Sequence, residues 1–181
     1  EGVIELDDAF FTSHSSKDDD DENEKRGRGT SKSKVLVMSK VEPQKGRPKK
    51  NKKNSSFRYV KMLVIPDSSS AAINVEVQAH VDNQTTVISD KWRGFNKLNE
   101  IITRHRAYVF PPKEASKKLP WVHTMISNAK KNLLGINHNN IKAAYLQNYL
   151  DEFCYKTNRR YFGTELFERL MIAATSDTFY G

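Results

Sequence analysis

Apolar and polar positions along the chain follow two regimes, strand-like runs in the first two thirds and helical spacing in the last. Val3 to Leu6 is a short apolar run that predicts a buried strand ending at Asp7 and Asp8. β-branched content and partial alternation predict strands over Lys34–Glu42 (KVLVMSKVE) and Phe57–Asp67 (FRYVKMLVIPD), the second pairing back on the first. SSSAAINVEVQAHVD, from Ser68, opens with a serine suited to cap a helix and continues with alanines, so it reads as a helix despite its later β-branched residues. TTVISD, from Thr85, is a short buried strand that delivers Asp90. KWRGFNKLNEII then reads as a turn into a helix, and RAYVF, from Arg106, as a last strand closed by Pro111 and Pro112. After the polar KEASKKL come helices. The first covers about 121–134, places Trp121, Val122, Met125, Ile126, Ala129 and Leu133 on one face, and stops at Gly135. A second covers about 141–159 and a third 165–174.

A strand, two longer strands, then helix, strand, helix, strand and helices predicts an α/β protein: a mixed five-stranded sheet with the C-terminal helices packed on it. A ribonuclease-H-like fold has this order, with acidic residues on the first strand, the fourth strand and a late helix. Two stretches interrupt the pattern, at about 12–33 and 43–56. The first carries an acidic run (DDDDENE) and then a basic one (KRGRGTSKSK); the second, PQKGRPKKNKKNSS, is purely basic. Neither has apolar residues enough to offset its ordering entropy, so both are expected to be flexible insertions in a single domain.

The remaining composition narrows the partners. A chain of 181 residues with a net charge of +8 fits one domain whose default partner is a polyanion. Its one cysteine, Cys154, excludes an internal disulfide and a cysteine-rich zinc site, and lies among Leu150, Phe153 and Tyr155 as a buried thiol would. His14, His80, His105 and His138 show no ligand spacing. No apolar run is long enough for a membrane span and EGVIELDD is not a signal peptide, so the expected compartment is cytoplasmic. A strand beginning at the third residue suggests a piece of a longer chain, its N-terminal part missing.

Asp7 and Asp90 each follow apolar strand residues. Placed at the carboxyl ends of neighbouring strands, two such carboxylates could hold the Mg²⁺ ions that phosphodiester cleavage uses, because hard cations take hard oxygen ligands. The plainer alternative is a pair of strand-end aspartates satisfying loop amides. Alternation turns Asp8 to the opposite side from Asp7.

Three motifs add a resemblance. VIELDDAFF is similar to the first-strand motif (hydrophobic, Glu, hydrophobic, Asp, acid) of ISXO-type insertion-sequence transposases, members of the DDE superfamily. VISDKWRGFNKL resembles that family's second-aspartate motif, and LPWVHTMISNAKKNLLG, YLQNYLDEFCYKTNRR and ELFERLM resemble its C-terminal block. The resemblance implies a ribonuclease-H-like catalytic domain that uses Mg²⁺ or Mn²⁺ to nick element ends and join them to target DNA, assembled on DNA as a homo-oligomer. It carries Asp7 and Asp90 over as the metal-binding aspartates. It also implies an N-terminal module for recognising element ends, often a zinc ribbon, which this stretch lacks.

The third ligand departs from the superfamily's usual Glu, since no acidic residue lies between Trp121 and Gly135. Anchored on the His-Thr at the helix start, Asn128 takes the place; anchored on the closing Lys and Gly, His123 does. Family branches with Asn there, followed by Lys, favour Asn128 with Lys130 or Lys131 as basic partner. Lys130, Lys131, Arg159 and Arg160 are candidate DNA-phosphate contacts, or else a solvated helix face. Two alternatives stay open beside the transposase reading: an inactive remnant that only binds DNA, and a nuclease of the same fold.

Overall fold

The computed structural model describes residues 2–13, 32–43, 55–109, 111, 114, 117–137 and 141–176. The two charged insertions lie largely outside the described residues. Their described margins are partly strand: β2 spans Ser33–Pro43 and β3 spans Ser55–Ile65, each reaching into what the sequence assigned to an insertion.

Five strands form one sheet in the order β3-β2-β1-β4-β5, with β1 at Val3–Phe11, β4 at Thr86–Asp90 and β5 at Arg104–Tyr108. β1, β2 and β3 form an antiparallel meander, whereas β1–β4 and β4–β5 pair in parallel. This is the mixed five-stranded α/β sheet that the pattern predicts, in a ribonuclease-H-like arrangement.

Each face of the sheet carries its own core. On one, Ala9, Phe11, Val35, Val37 and Met62 pack against α2 (Pro120–Asn137) and α3 (Leu146–Asn158). On the other, Leu6, Leu36, Met38 and Val87 pack against α1 (Ser70–His80) and the segment after β4. Fully burying one such side chain contributes about 1.5–3 kcal/mol, so both helical layers are fastened by apolar area. Ser69 caps α1, its hydroxyl accepting from the Ala72 amide. Among the described residues no helix is long and apolar enough to cross a membrane.

Several boundaries differ from the sequence reading, among them β5, which begins two residues before Arg106. β1 continues through Asp7 and Asp8 to Phe11, because pairing with β2 runs the whole way to Phe11↔Ser33. KWRGFNKLNEII forms two single 3-10 turns, Arg93–Phe95 and Leu98–Glu100, instead of a helix. Gly94 permits the first of them: a Cβ there would come within 2.7 Å of the Ser68 carbonyl oxygen. α2 runs past Gly135 to Asn137; a Cβ at Gly135 would meet nothing within 4 Å among the described residues, so this glycine costs its helix propensity, about 1 kcal/mol. The second predicted helix begins with a 3-10 turn at Ala143–Tyr145 and is α-helical only from Leu146, and the third, α4, spans Glu165–Ser176.

α3 also closes the edge of the sheet. The Gln147 side chain accepts from Val64 N–H at 2.8 Å and donates to the Met62 carbonyl at 3.0 Å. Asn158 accepts from Val60 N–H at 2.7 Å and donates to the Val60 carbonyl at 2.8 Å. Two amide side chains thus take the bonds a sixth strand would make, on an edge otherwise open to strand addition.

Candidate active site

The parallel register of β1 on β4 runs from Val3↔Thr86 to Leu6↔Ser89, so the next step brings Asp7 level with Asp90, the last residue of β4. Neighbouring strands lie about 4.8 Å apart. Asp7 shares its parity with Ala9 and Phe11, which face α2, and Asp90 shares its parity with Ile88, which packs in the same core. The two carboxylates therefore project from adjacent strands on the α2 side, at the carboxyl end of β4. That is the end where open α/β sheets place their sites. Asp8 faces the other way and accepts a hydrogen bond from Ser68 Oγ at 3.0 Å.

Loop and strand amides steady both carboxylates. Asp7 Oδ1 accepts from Asp8 N–H at 2.9 Å, and Asp90 Oδ1 from Trp92 N–H at 3.2 Å. Behind Asp90, the buried Ser89 hydroxyl donates to the Asp90 carbonyl at 2.8 Å and stands 2.9 Å from His105 Nε2. His105 Nδ1 in turn lies 3.1 Å from Asn99. Burial lowers the His105 pKa below its usual value.

α2 is docked onto this site by a residue the sequence reading quoted but gave no role. Glu5, buried on the same face of β1 as Asp7, accepts from the Trp121 amide at 2.8 Å and the Val122 amide at 2.9 Å. These are first-turn amides with no partner inside the helix, and they carry the positive end of its dipole. The signal for this role was the two-residue spacing of Glu5 and Asp7, which puts both on one face of a strand.

The next residue of α2 is His123, whose Nδ1 stands 3.6 Å from Asp7 Oδ2. Its pKa is lowered, by burial first, with Asp90 acting in the opposite direction. Among the described residues its Nε2 is buried without a hydrogen-bond partner. Lys130, seven residues on and so on the same helix face, has its pKa lowered by burial and by Lys32, with Asp7 opposing. Asn128 is exposed and sits five residues after His123, about 140° round the helix. The structure therefore brings Asp7, Asp90 and His123 together, with Lys130 in electrostatic reach of Asp7, and places Asn128 on an exposed part of α2 about 140° round from His123.

The other predicted DNA contacts are scattered. Lys131 is exposed on α2. Arg159 lies over the Tyr155 ring at 3.8 Å, while Arg160 donates to the Phe57 carbonyl and stacks on the Phe57 ring at 4.4 Å. Phe57 pairs with Val41, and Val41 with Val3, so these arginines sit towards the opposite end of the sheet from Asp90. Cys154 is buried, which pushes its thiol pKa up to about 12, as an inert core thiol requires.

Two carboxylates and a neutral imidazole suit a divalent cation. Among the described residues no three His, Cys, Asp or Glu side chains are gathered as a ready-made metal cluster. The fit therefore rests on the aspartate pair, which accords with Mg²⁺, an ion commonly held by one or two carboxylates plus water and substrate phosphate.

No curated protein and no solved structure matches the chain. The family model for the ISXO2-like transposase domain, in contrast, matches residues 1–158, through the last turn of α3 and short of α4, and the chain belongs to that family.

Proposed function

We propose that this chain is the catalytic domain of a DDE transposase that cuts DNA at the ends of an insertion sequence and joins the freed ends to target DNA. The observation that carries the reading is the placement of Asp7 and Asp90 side by side on parallel strands, faced by His123 from α2. Family membership supports a role in transposition, and the superfamily in general uses divalent metal ions.

In this reading Asp7 and Asp90 hold the metal and His123 is the third site residue in place of Asn128. A bound divalent ion would supply Lewis-acid stabilisation of the charge that develops on the scissile phosphate. His123, its pKa lowered by burial, offers the ring nitrogen beside Asp7 to a proton of the substrate. Lys130 reaches the same face and would counter the charge of a phosphate beside Asp7. Glu5 fixes the helix that delivers both. The net charge of +8 favours DNA over neutral partners, and a cytoplasmic site of action with assembly of several copies on DNA follows from the same reading.

The test is a nicking and strand-joining assay with Mg²⁺ or Mn²⁺ on DNA carrying the element's ends. Joined products support the transposase. Nicking without joining moves the reading to a nuclease of the same fold, and DNA binding without cleavage under either metal leaves a binding remnant.

A further inference from the structure

Behind the carboxylates, on the α1 face of the sheet, a short polar chain runs from β5 to the end of β4. Ser89 shares its parity with Val87, which lies in the α1-side core, and is itself 0 % exposed. A hydroxyl is costly to bury unless its hydrogen bonds are made, and this one makes two. It donates to the Asp90 carbonyl at 2.8 Å and stands 2.9 Å from His105 Nε2. His105 pairs with Val87 in the β4–β5 register, and its Nδ1 lies 3.1 Å from Asn99 Oδ1 in the Leu98–Glu100 turn. The imidazole is thus bonded on both sides, and the buried Leu98 anchors the turn at its far end.

The near end is where the chain leaves the sheet. Asp90 is the last residue of β4, the Lys91 amide donates to the Tyr108 carbonyl at 3.0 Å, and the backbone then swings into the Arg93–Phe95 turn. The Asp90 carboxylate takes part in that swing, since its Oδ1 accepts from the Trp92 amide at 3.2 Å. Holding the Asp90 carbonyl from behind fixes the peptide plane that follows Asp90, and with it the place of the Trp92 amide that steadies the carboxylate. An apolar residue at position 89 would pack as Val87 does but would not make that bond.

We infer that Ser89 and His105 are positioning residues for Asp90: through the bond between them they hold the Asp90–Lys91 peptide at the strand end, and so set the direction in which the carboxylate is presented to a divalent ion. The inference rests on the metal-binding reading of Asp7 and Asp90 and adds to it a support on the opposite face of the sheet. Both residues act through the backbone. Losing an outer partner of this kind typically weakens metal binding by about 10–100-fold without touching the ion.

The experiment reads metal binding and backbone order, apart from catalysis. Full-length protein, free of DNA and at neutral pH, is titrated with Mn²⁺, the free ion being followed by electron paramagnetic resonance. Exchange of the Trp92 amide is followed by NMR in EDTA. Ser89→Ala and His105→Asn should each weaken Mn²⁺ binding about tenfold. An Asn side chain reaches only as far as ring Nδ1. Gln reaches as far as Nε2 and carries both a donor and an acceptor, so His105→Gln should bind Mn²⁺ within about twofold of wild type. The double variant Ser89→Ala/His105→Asn should be no weaker than Ser89→Ala alone, because both changes cut one connection. Trp92 exchange should quicken about tenfold in Ser89→Ala and His105→Asn, and stay near wild type in His105→Gln. Leu150→Val, a core change in α3, should lower the metal-free thermal midpoint with Mn²⁺ affinity unchanged, which separates positioning from general loss of stability. Wild-type Mn²⁺ affinity in Ser89→Ala, additive losses in the double variant, unchanged Trp92 exchange, or His105→Gln as weak as His105→Asn overturns the inference. So does an equal loss of Mn²⁺ affinity in Leu150→Val. A wild type that binds no Mn²⁺, with Trp92 exchange following the expected pattern, would keep the positioning role and sink the metal reading instead.

Discussion

The Glu5 carboxylate holds the Val122 amide at 2.9 Å, and this bond decides where the following residue, His123, meets Asp7. Glu5 and Asp7 are neighbours on one strand face, so strand and helix are locked together one residue from the chemistry. Hydrogen bonds to a charged acceptor contribute about 1.5–3 kcal/mol each. Glu5→Gln keeps an acceptor but loses the charge and should cost about 2 kcal/mol in urea unfolding. Its nicking rate should fall further than its affinity for DNA does. An unchanged midpoint in urea would mean that the helix is held by its apolar face alone.

Metal should stabilise this protein through the aspartate pair. A ligand that binds only the folded state raises its stability by about 2.7 kcal/mol at a hundredfold excess over its Kd. Thermal melts in rising Mn²⁺ should therefore climb for the wild type and stay flat for Asp7→Asn and Asp90→Asn, with nicking abolished in both variants. A wild-type melt indifferent to Mn²⁺ would remove the metal site.

His123 and Asn128 make a clean comparison. His123→Ala should abolish nicking, with DNA affinity within about twofold of wild type because phosphate contacts come from lysines. Asn128→Ala should nick normally, since the residue is exposed on another face of α2. The reverse pattern would return the role to Asn128.

The two histidines near the site predict how stability follows pH. Burial lowers the pKa of both His105 and His123 below 6.5, so the unfolded chain binds protons that the folded one refuses. Their contribution is complete above pH 6.5 and is lost as pH falls through their folded values. Thermal midpoints should drop from pH 7 to pH 5, and less steeply in His105→Asn. Asp90 opposes the lowering at His123, so Asp90→Asn should move the His123 imidazole titration, followed by NMR, to still lower pH.

Much of the fold was legible because its signals are local. Alternation located the strands, and the face built from Val122, Met125, Ile126, Ala129 and Leu133 located α2; each of these five residues is buried. The length of β1 was not legible, since Asp7 and Asp8 interrupt the apolar run and only pairing with β2 shows that the strand continues. The 3-10 turns after Asp90 depend on the close approach of Gly94 to Ser68, which is a tertiary fact. Motif and apolar flanks singled out both candidate aspartates, although only Asp90 ends its strand and Asp7 lies four residues before the end of β1. The choice between His123 and Asn128 stayed open in the sequence, because two motif anchors disagreed. Helical spacing shows only that His123 and Lys130, seven residues apart, complete two turns and share a face.

The closure of β3 by Gln147 and Asn158 makes the length of α3 a measured quantity. The two amides lie eleven residues apart, about 16.5 Å of helix, and reach backbone groups around Val60 and Val64, about 13 Å apart along the strand. One inserted or deleted residue between them would turn one amide by about 100° away from its partner. α3 should therefore accept many changes of side chain on its outer face and almost none in number of residues. It behaves as a ruler laid against the sheet, whose graduations are two amides.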